Sequence, residues 1–252
     1  MEANGWTVSL LEVGIVPMEA ADLAPEGVLS GTVRTPVNVV LLRGHGRTIL
    51  VDAGSGPFVT SWPGATDELA ARLDAEGATP GLVILTHLDF DHSGGLVAAG
   101  GPDGLEPAFP GVPVIAPAAA VAEARRDAAE ESPGPRVIAA LDRAGLVEGY
   151  DDGDEPAPGL RLRSAPGHRL GHSIVEIGAS LVHAVDIVHH PLHVENPEWD
   201  RTWDFEPEVA LATRRTILTE LAERGSTVVT SHFASPGRIE SAGDGLRWVA
   251  LP

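Results

Sequence analysis

The stretch LTHLDFDHSGG, residues 85–95, concentrates side chains that could do chemistry. It places His87, Asp89, Asp91 and His92 within six positions, directly after the apolar run GLVIL and directly before two glycines. Imidazole nitrogen and carboxylate oxygen are ligands for zinc, iron and manganese. The two glycines allow another part of the backbone to approach closely. We therefore interpret the stretch as a metal-binding loop, with a solvated acidic turn as the alternative.

Three further strand-like segments end in side chains of the same kind. LRLRSAPGH ends at His168, SLVHAVD ends at Asp186, and STVVTSH ends at His232. In layered folds the ends of strands and the loops beyond them commonly carry the chemistry. Four ligand-type strand ends are improbable by chance, so we expect these segments to meet in space.

Composition excludes several classes of function. The 252 residues include 36 acidic and 17 basic side chains, a formal charge of −19, which argues against nucleic acid or anionic membrane surfaces as partners. The absence of cysteine excludes disulfides, thiolate metal sites and cysteine nucleophiles. No basic segment precedes an apolar run at the start, and no apolar run approaches the roughly 20 residues of a membrane helix. We expect a cytoplasmic protein that acts on a small molecule.

Strand-like and helix-like segments occur in both halves of the chain. VNVVLLRGHGRTILVDAG predicts a hairpin that turns at residues 44–46, and TDELAARLDAEG predicts a helix with an acidic first turn and Gly77 as its stop. The proline- and glycine-rich DDGDEPAPG at 151–159 separates the halves, and strands resume directly after it. This pattern predicts an α+β fold with two sheets packed face to face and helices outside.

From about Asn38 to the C-terminus, the chain resembles the metallo-β-lactamase superfamily. ILVDAGSGP is similar to that family's Asp-containing strand and loop, THLDFDHSGG to its metal loop, and PGHRLGH to its next ligand loop. The resemblance implies an αβ/βα four-layer sandwich, with two mixed β-sheets and helices outside. It also implies one domain, residues 1–252, with the site at one edge of the sheets.

The resemblance further implies a binuclear metal centre. The implied ligands are His87, Asp89 and His168 for the first ion, Asp91, His92 and His232 for the second, and Asp186 for both. Two divalent ions about 3.5–4 Å apart would activate a hydroxide near neutral pH. Zinc is the first expectation, with iron or manganese as alternatives. Asp91 would serve as both a ligand and a proton shuttle.

Asp89 departs from the usual pattern, because most of the superfamily has histidine at this position. Aspartate is shorter and negatively charged, so it lowers the Lewis acidity of its ion and favours iron or manganese. A related branch, the flavodiiron proteins, has glutamate here and binds iron. Two outcomes stay open: Asp89 binds the first ion, or it leaves that site weak or empty.

Several side chains near the implied ligands have alternative roles. By the resemblance, Asp52 braces the metal loop from behind, although an Asx turn also explains it. We place His172 behind the ligands or in a structural role. His189 and His190 either contact substrate, orient a ligand or lie on the surface.

A helix and several aromatic residues complete the set of expectations. We expect Arg214 and Arg215, on the helix EPEVALATRRTILTELAERG, to be solvated. Trp62, Trp199 and Phe233 flank the loops and either line an apolar pocket or pack in the core.

The segments DIVHHPLHVENPEWD and SHFASPGRI look most like the superfamily branch of lactonases and organophosphate-type hydrolases. The resemblance thus implies a metal-dependent hydrolase that acts on a lactone or other ester. Some family lactonases polarise the substrate with a tyrosine, but we place the single tyrosine here, Tyr150, inside the acidic linker. An iron-dependent oxidoreductase or oxygenase, motivated by Asp89, and a non-catalytic metal-binding protein are the alternatives. The sequence leaves a homodimer open.

Overall fold

Two β-sheets organise the chain, whose computed structural model describes residues 1–100, 104–127, 131–243 and 245–251. The strands in chain order are β1 (Glu2–Ala3), β2 (Trp6–Glu19), β3 (Thr32–Gly44), β4 (Arg47–Val51), β5 (Thr66–Asp67), β6 (Leu82–Ile84), β7 (Val97–Ala99), β8 (Leu105–Pro107), β9 (Val114–Pro117), β10 (Val147–Tyr150), β11 (Leu160–Ser164), β12 (Ser173–Ile177), β13 (Leu181–His183), β14 (Thr227–Val229), β15 (Gly237–Ala242) and β16 (Gly245–Ala250).

Both large sheets are mixed. The first has the order β1-β2-β3-β4-β6-β9-β10, with β5 paired to β2. Its neighbouring strands β4, β6, β9 and β10 pair in parallel. The second runs β11-β12-β13-β14-β15-β16, and only β13 and β14 pair in parallel among its described strands. Strands β7 and β8 form a separate ribbon.

Helices cover the outer faces of the two sheets. The α-helices are α1 (Ala20–Leu23), α2 (Leu69–Ala75), α3 (Phe90–Ser93), α4 (Ala118–Arg126), α5 (Pro133–Arg143), α6 (Leu192–Glu195) and α7 (Pro207–Arg224). Short 3₁₀ turns occur at Gly56–Ser61, Gly94–Leu96, Val185–Ile187 and Pro197–Trp199.

Alternating side chains of the central strands supply two separate cores. In β3, Val39 and Leu41 pack on the side of α2, α4 and α5, whereas Val40 and Leu42 pack between the two sheets. The period of two follows from strand geometry, and a strand buried on both faces is apolar at every position.

The second sheet is arranged in the same way. Val175 of β12 points between the sheets, while its neighbour Ile174 joins the cluster of Ile217, Leu218 and Leu221 from α7. The layers are therefore helix, sheet, sheet and helix. This confirms the predicted α+β four-layer sandwich.

Several local predictions are confirmed. Strand β3 turns into β4 at His45 and Gly46, whose φ values of 50° and 71° suit a two-residue hairpin turn. Segment 151–159 connects the first sheet to the second. Gly77 follows the end of α2 with φ 57°. The alanine-rich run AAAVAEARRDAAEE, residues 118–131, also predicts a helix; α4 ends at Arg126, and residues 128–130 lie outside the described residues.

Two predictions are wrong. The first turn of α2 contains no acidic residue, because Asp67 lies in β5, where its carboxylate accepts hydrogen bonds from the Ser55 and Gly56 N–H groups. Tyr150 lies in β10 and not in the linker, and its buried hydroxyl donates to the Leu85 carbonyl at 3.0 Å. The described residues contain no helix that is both long and apolar enough to span a membrane.

Candidate metal centre

The metal-binding loop predicted from LTHLDFDHSGG follows β6 at the edge of the first sheet. Asp89 stands directly before α3 in an extended conformation, so Asp91 and His92 fall within the first turn of that short helix. A Cβ at Gly95 would overlap the Ala53 carbonyl oxygen, and a Cβ at Gly94 would overlap the Ser55 carbonyl oxygen. The two glycines therefore let the loop pack against the chain that follows β4.

The second sheet supplies the other half of the site. His168 follows β11, Asp186 follows β13 within the turn Val185–Ile187, and His232 follows β14. Val185 has φ 52°, a left-handed conformation that is strained for a β-branched residue. The turn of the chain directly before Asp186 therefore requires support from the surrounding fold.

The carboxylate of Asp186 lies at the centre of four imidazoles. Its Oδ2 is 3.2 Å from His92 Nε2, 3.4 Å from His168 Nε2 and 3.6 Å from His87 Nε2. Its Oδ1 is 3.5 Å from His232 Nε2. All five side chains are buried. The structure thus brings together predicted ligands from both sheets, with Asp186 between the two groups of histidines.

Asp89 reaches this cluster with one carboxylate oxygen. Its Oδ2 lies 3.9 Å from His87 Nε2 and 3.8 Å from His168 Nε2, while Oδ1 accepts a hydrogen bond from Arg169 Nε at 2.7 Å. Arg169 also donates from Nη1 to the carbonyl groups of His168 and Trp203. Asp89 therefore faces the two histidines that the resemblance assigned to the first ion.

Asp91 faces the other pair of histidines. Its Oδ2 is 3.6 Å from His232 Nε2 and 3.8 Å from His92 Nε2. These three side chains form a group in which the donor atoms lie within 4.8 Å of one another. The arrangement matches the donor set implied for the second ion.

The cluster fits divalent cations by three criteria. Among the described residues, His87 Nε2, His92 Nε2, His168 Nε2 and Asp186 Oδ1 are buried without a hydrogen-bond partner, which is costly unless a cation satisfies them. Two donors of a tetrahedral ion with bonds of about 2.1 Å lie roughly 3.4 Å apart. The donor separations of 3.2–3.9 Å surround that value. Nitrogen and oxygen donors without thiolate suit zinc, iron or manganese.

Electrostatics within the cluster favour positive charge. Burial opposes a charge on His92 and on His168, but neighbouring carboxylates, chiefly Asp186, outweigh it and raise the pKa of both rings. Burial also disfavours a charged Asp186, yet His92 and His232 hold the pKa of its carboxyl well below the usual range. Burial and the adjacent His92 lower the pKa of His87 well below its usual value.

Three imidazoles of the cluster, His92, His168 and His232, are oriented through their other ring nitrogen. Asp52 accepts from His92 Nδ1 at 2.9 Å and from the Thr86 N–H at 2.9 Å. Asp204 accepts from His168 Nδ1 at 3.2 Å, and the Pro36 carbonyl accepts from His232 Nδ1 at 2.9 Å. Such partners fix the tautomer, so Nε2 is the nitrogen that faces the cluster.

The remaining histidines occupy different positions. His172 is buried, donates from Nδ1 to the Ala165 carbonyl and accepts the Asp186 N–H at Nε2. Burial lowers the pKa of His172 to about 3. His189 lies inside the cluster with Nε2 3.6 Å from Asp186 Oδ2. His190 instead accepts the Leu192 N–H outside it.

A cavity of about 400 Å³ opens onto the cluster. Asp89, Asp91, His168, Asp186, His189 and His232 contribute to its floor, and apolar side chains such as Met18, Trp62, Leu88, Phe90 and Trp203 line its walls. A largely apolar cavity with a few convergent polar groups is typical of a small-molecule site.

A model of the metallo-beta-lactamase superfamily matches residues 32–232. The chain belongs to this superfamily. The match includes every side chain of the cluster described above. A comparison with curated protein sequences found no match.

Solved structures of the metallo-beta-lactamase fold superpose on the whole chain. One is AidC, a dizinc quorum-quenching lactonase, with 20% identity, a TM-score of 0.83, and coverage of 100% of this chain and 96% of that one. Another is the hydrolase AbOPH of the beta lactamase superfamily, with 21% identity, a TM-score of 0.80, and coverage of 100% and 96%. A quorum-quenching N-acyl homoserine lactone lactonase covers 92% of this chain and 93% of its own, with 20% identity and a TM-score of 0.71. At these identities the likeness establishes the fold.

The expectation of a solvated Arg214 is wrong. Its side chain is 1% exposed and donates to the Ile187 carbonyl at 2.6 Å, the Pro197 carbonyl at 3.1 Å and Asp204 at 2.9 Å. Its neighbour Arg215 is 60% exposed, as expected. Arg214 therefore supports the carboxylate that orients His168.

The aromatic residues named from the sequence divide between the cavity and the core. Trp62 lines the cavity, where it stacks on Phe90. Phe233 packs against Trp248 in the core of the second sheet, and Trp199 is not among the described lining residues. Trp203 lines the cavity and was not anticipated, because no local pattern ties its position to the metal loop.

Proposed function

We propose that this protein is a metal-dependent hydrolase that opens a lactone or other ester with an apolar substituent. The observation that carries the proposal is the convergence of imidazole and carboxylate donors at the floor of an apolar cavity of about 400 Å³. Concave sites that combine a few polar groups with apolar walls bind small organic substrates. The named lactonases of the same fold support this substrate class.

Two ions would be held by donors from both halves of the chain. The proposed ligands are His87, Asp89 and His168 for the first ion, Asp91, His92 and His232 for the second, and Asp186 for both. When bound, two divalent ions, zinc first, supply a water of lowered pKa and a Lewis acid for the scissile carbonyl oxygen. Asp52 and Asp204 keep the imidazoles oriented toward these positions.

Asp91 is the proposed proton carrier. Its carboxylate borders both the cavity and the His92–His232 pair, so one group can contact the cluster and the substrate space. In this position it accepts a proton at a carboxylate oxygen and returns it to the departing alkoxide oxygen of the ester.

The cavity favours an uncharged substrate. Arg169 is its only arginine or lysine among the described lining residues, and Asp89 already engages the guanidinium. Glu123 and Asp127 add negative charge to the lining. An acyl or alkyl chain fits along Leu88 and Trp203, whereas an anionic substrate meets repulsion.

A substrate panel on the zinc-loaded protein tests the proposal. It contains N-acyl homoserine lactones of increasing chain length, simple γ-lactones, aryl esters, thioesters, phosphotriesters and a β-lactam, with acid release followed by pH-stat. We expect lactones to give the largest kcat/KM, with loss of activity on chelation and in Asp91→Asn. Activity confined to another class, or none at all, would contradict the proposal.

A matched pair of alanine variants checks that the cavity holds the substrate chain. Ala120 is buried and lines the cavity, whereas Ala119 on the same helix is exposed. Ala120→Leu should raise KM for long-chain lactones more than for short ones, and Ala119→Leu should change neither. Equal effects of the two variants would place the chain elsewhere.

The carboxylate of Asp89 favours one alternative, an iron-dependent oxidoreductase. Metal analysis of protein purified without added metal separates the two functions. Bound redox-active iron with substrate-dependent oxygen consumption would favour the alternative, whereas zinc with acid release would favour hydrolysis.

A further inference from the structure

His189 has the position and support of a metal ligand, although neither the resemblance nor the family assigns it that role. We propose that His189 binds the first ion through Nε2, together with His87, Asp89, His168 and Asp186. The inference rests on the metal centre of the proposed function and adds an imidazole to its donor set.

The distances place His189 among the donors. Its Nε2 is 3.6 Å from Asp186 Oδ2, the same separation as that of His87 Nε2. Donor atoms of His168, Asp186 and His189 lie within 4.8 Å of one another. The ring centroid of His189 is 5.0 Å from that of His168. Because His168 belongs to the first ion, His189 is assigned to the same ion.

The contacts behind His189 repeat those of the other histidines. Asp200 accepts from His189 Nδ1 at 2.8 Å, as Asp52 does from His92 and Asp204 does from His168. Since a carboxylate only accepts, Nδ1 carries a proton, and Nε2 is the nitrogen that faces the cluster. Metal-binding histidines characteristically have this carboxylate partner.

The position of the ring is fixed with unusual redundancy. Asp200 also accepts the His189 backbone N–H at 3.0 Å, so one carboxylate holds both the main chain and the ring. Arg214 Nη2 lies 3.7 Å from Asp200 Oδ2, the oxygen that accepts this N–H, and both side chains are buried. This support holds the ring in one orientation, as the fixed donor set of a metal ion requires.

The proposed site of the first ion lacks one imidazole donor of the common superfamily pattern. Asp89 stands where most of the superfamily has histidine, and one of its oxygens is already engaged by Arg169. Only the other oxygen of that carboxylate faces His87 and His168. The Nε2 lone pair of His189 compensates for the imidazole that this chain lacks at position 89.

Metal titration of matched variants tests the assignment. His189→Gln removes the donor, and His193→Gln is the control, because His193 Nδ1 lies 3.0 Å from the same Asp200 carboxylate. With zinc and a competing chelator, we expect His189→Gln to weaken the first ion more than about 100-fold, beyond the 10- to 100-fold typical of an outer partner. His193→Gln should stay within about 10-fold. Equal affinities for parent and His189→Gln would overturn the assignment.

A measurement on the unaltered protein covers the case in which His189→Gln fails to fold. In the cobalt(II)-loaded protein each ligand imidazole contributes one exchangeable N–H proton with a large paramagnetic shift. We expect five such resonances, from His87, His92, His168, His189 and His232. Four resonances would exclude His189 as a ligand and leave it as a substrate contact.

These readouts are independent of turnover. A protein that binds two ions, gives five shifted resonances and hydrolyses nothing would contradict the proposed function and retain the His189 assignment. Lactonase activity together with four resonances, and a His189→Gln variant in which only KM rises, would support the proposed function and contradict the His189 assignment.

Discussion

Arg169 donates from Nε to Asp89 Oδ1 at 2.7 Å, while the other oxygen of that carboxylate points toward His87 and His168. Asp89 is thus divided between a cation of the protein and the cluster of histidines. In the proposed metal centre, the guanidinium would offset the negative charge by which aspartate lowers the Lewis acidity of the first ion. A charge-assisted bond of this length also limits the orientations of the carboxylate.

The role of Arg169 predicts a coupling to Asp89. Arg169→Gln should weaken the first ion by about 10- to 100-fold, because an unoriented carboxylate is a poorer ligand. The same change made in Asp89→Ala should have little further effect, since the acceptor is already gone. The zinc affinities of the parent, the two single variants and the double variant complete this double-mutant cycle. Equal losses in both backgrounds would mean that Arg169 acts only through the carbonyl groups of His168 and Trp203.

Substitution of Asp89 itself should act on one ion. Asp89→Ala should deplete the first ion while the second, near Asp91, His92 and His232, is retained. Asp89→His should restore the common loop and shift selectivity toward zinc, because neutral imidazole removes a negative charge. Metal analysis after dialysis measures both effects. Two ions retained by Asp89→Ala, under conditions that strip neither site of the parent, would exclude Asp89 as a ligand.

Asp186 should be needed by both ions. Its Oδ2 faces His87, His92 and His168 and its Oδ1 faces His232, so Asp186→Ala removes a donor beside the histidines proposed for both ions. We expect metal content and hydrolysis to fall by orders of magnitude, with secondary structure kept by circular dichroism. Full occupancy with near-normal turnover would refute a bridging position.

The buried Arg214 and its exposed neighbour form a natural pair for stability measurements. Arg214→Leu leaves the buried carboxylates of Asp204 and Asp200 without their cation, which should cost about 3–5 kcal/mol of unfolding free energy. Arg215→Leu should change it by less than about 0.5 kcal/mol. Urea unfolding of both variants measures this difference. Similar unfolding free energies for the two would show that the contacts of Arg214 with Asp200 and Asp204 do not contribute to stability.

Local pattern could predict most of the metal loop and the layers of the fold. The strand ends before His87, His168, Asp186 and His232 are visible as short apolar runs, and the alternation that builds both cores lies within single strands. Arg214 could also have been placed correctly. It lies four residues after the buried Ala210 and three before the buried Ile217, so helical periodicity puts it on the buried face of α7.

Contacts between distant segments could not be predicted in this way. Asp200 and Asp204 belong to an irregular stretch with no periodicity, and nothing local indicates that they support His189 and His168. The Arg169–Asp89 bond joins loops 80 positions apart. Such pairs depend on how the two sheets are stacked, which is a property of the whole chain.

His172 predicts a pH dependence of stability. Burial lowers its pKa to about 3 in the folded protein from the usual 6.5, so below pH 6.5 the unfolded chain binds more protons at this site. Stability due to a neutral His172 is therefore present above pH 6.5 and falls by roughly 1 kcal/mol for each pH unit down to about pH 3. Metal-free His172→Gln should have a shallower dependence of unfolding free energy on pH between 6 and 4. Parallel curves for the two proteins would refute this.

The strand ends that converge on Asp186 belong to different sheets, and this has a mechanical consequence. A cation shared by His87 and His168 crosslinks segments 81 positions apart, in a chain that has no cysteine for a covalent crosslink. Ion binding to the folded protein increases the free energy of unfolding in proportion to the logarithm of the ratio of free metal concentration to the dissociation constant. The increase is about 2.7 kcal/mol when the free metal concentration is a hundred times the dissociation constant. A chelator should therefore act on this protein as a denaturant as well as an inhibitor, and metal supply should set its resistance to proteolysis.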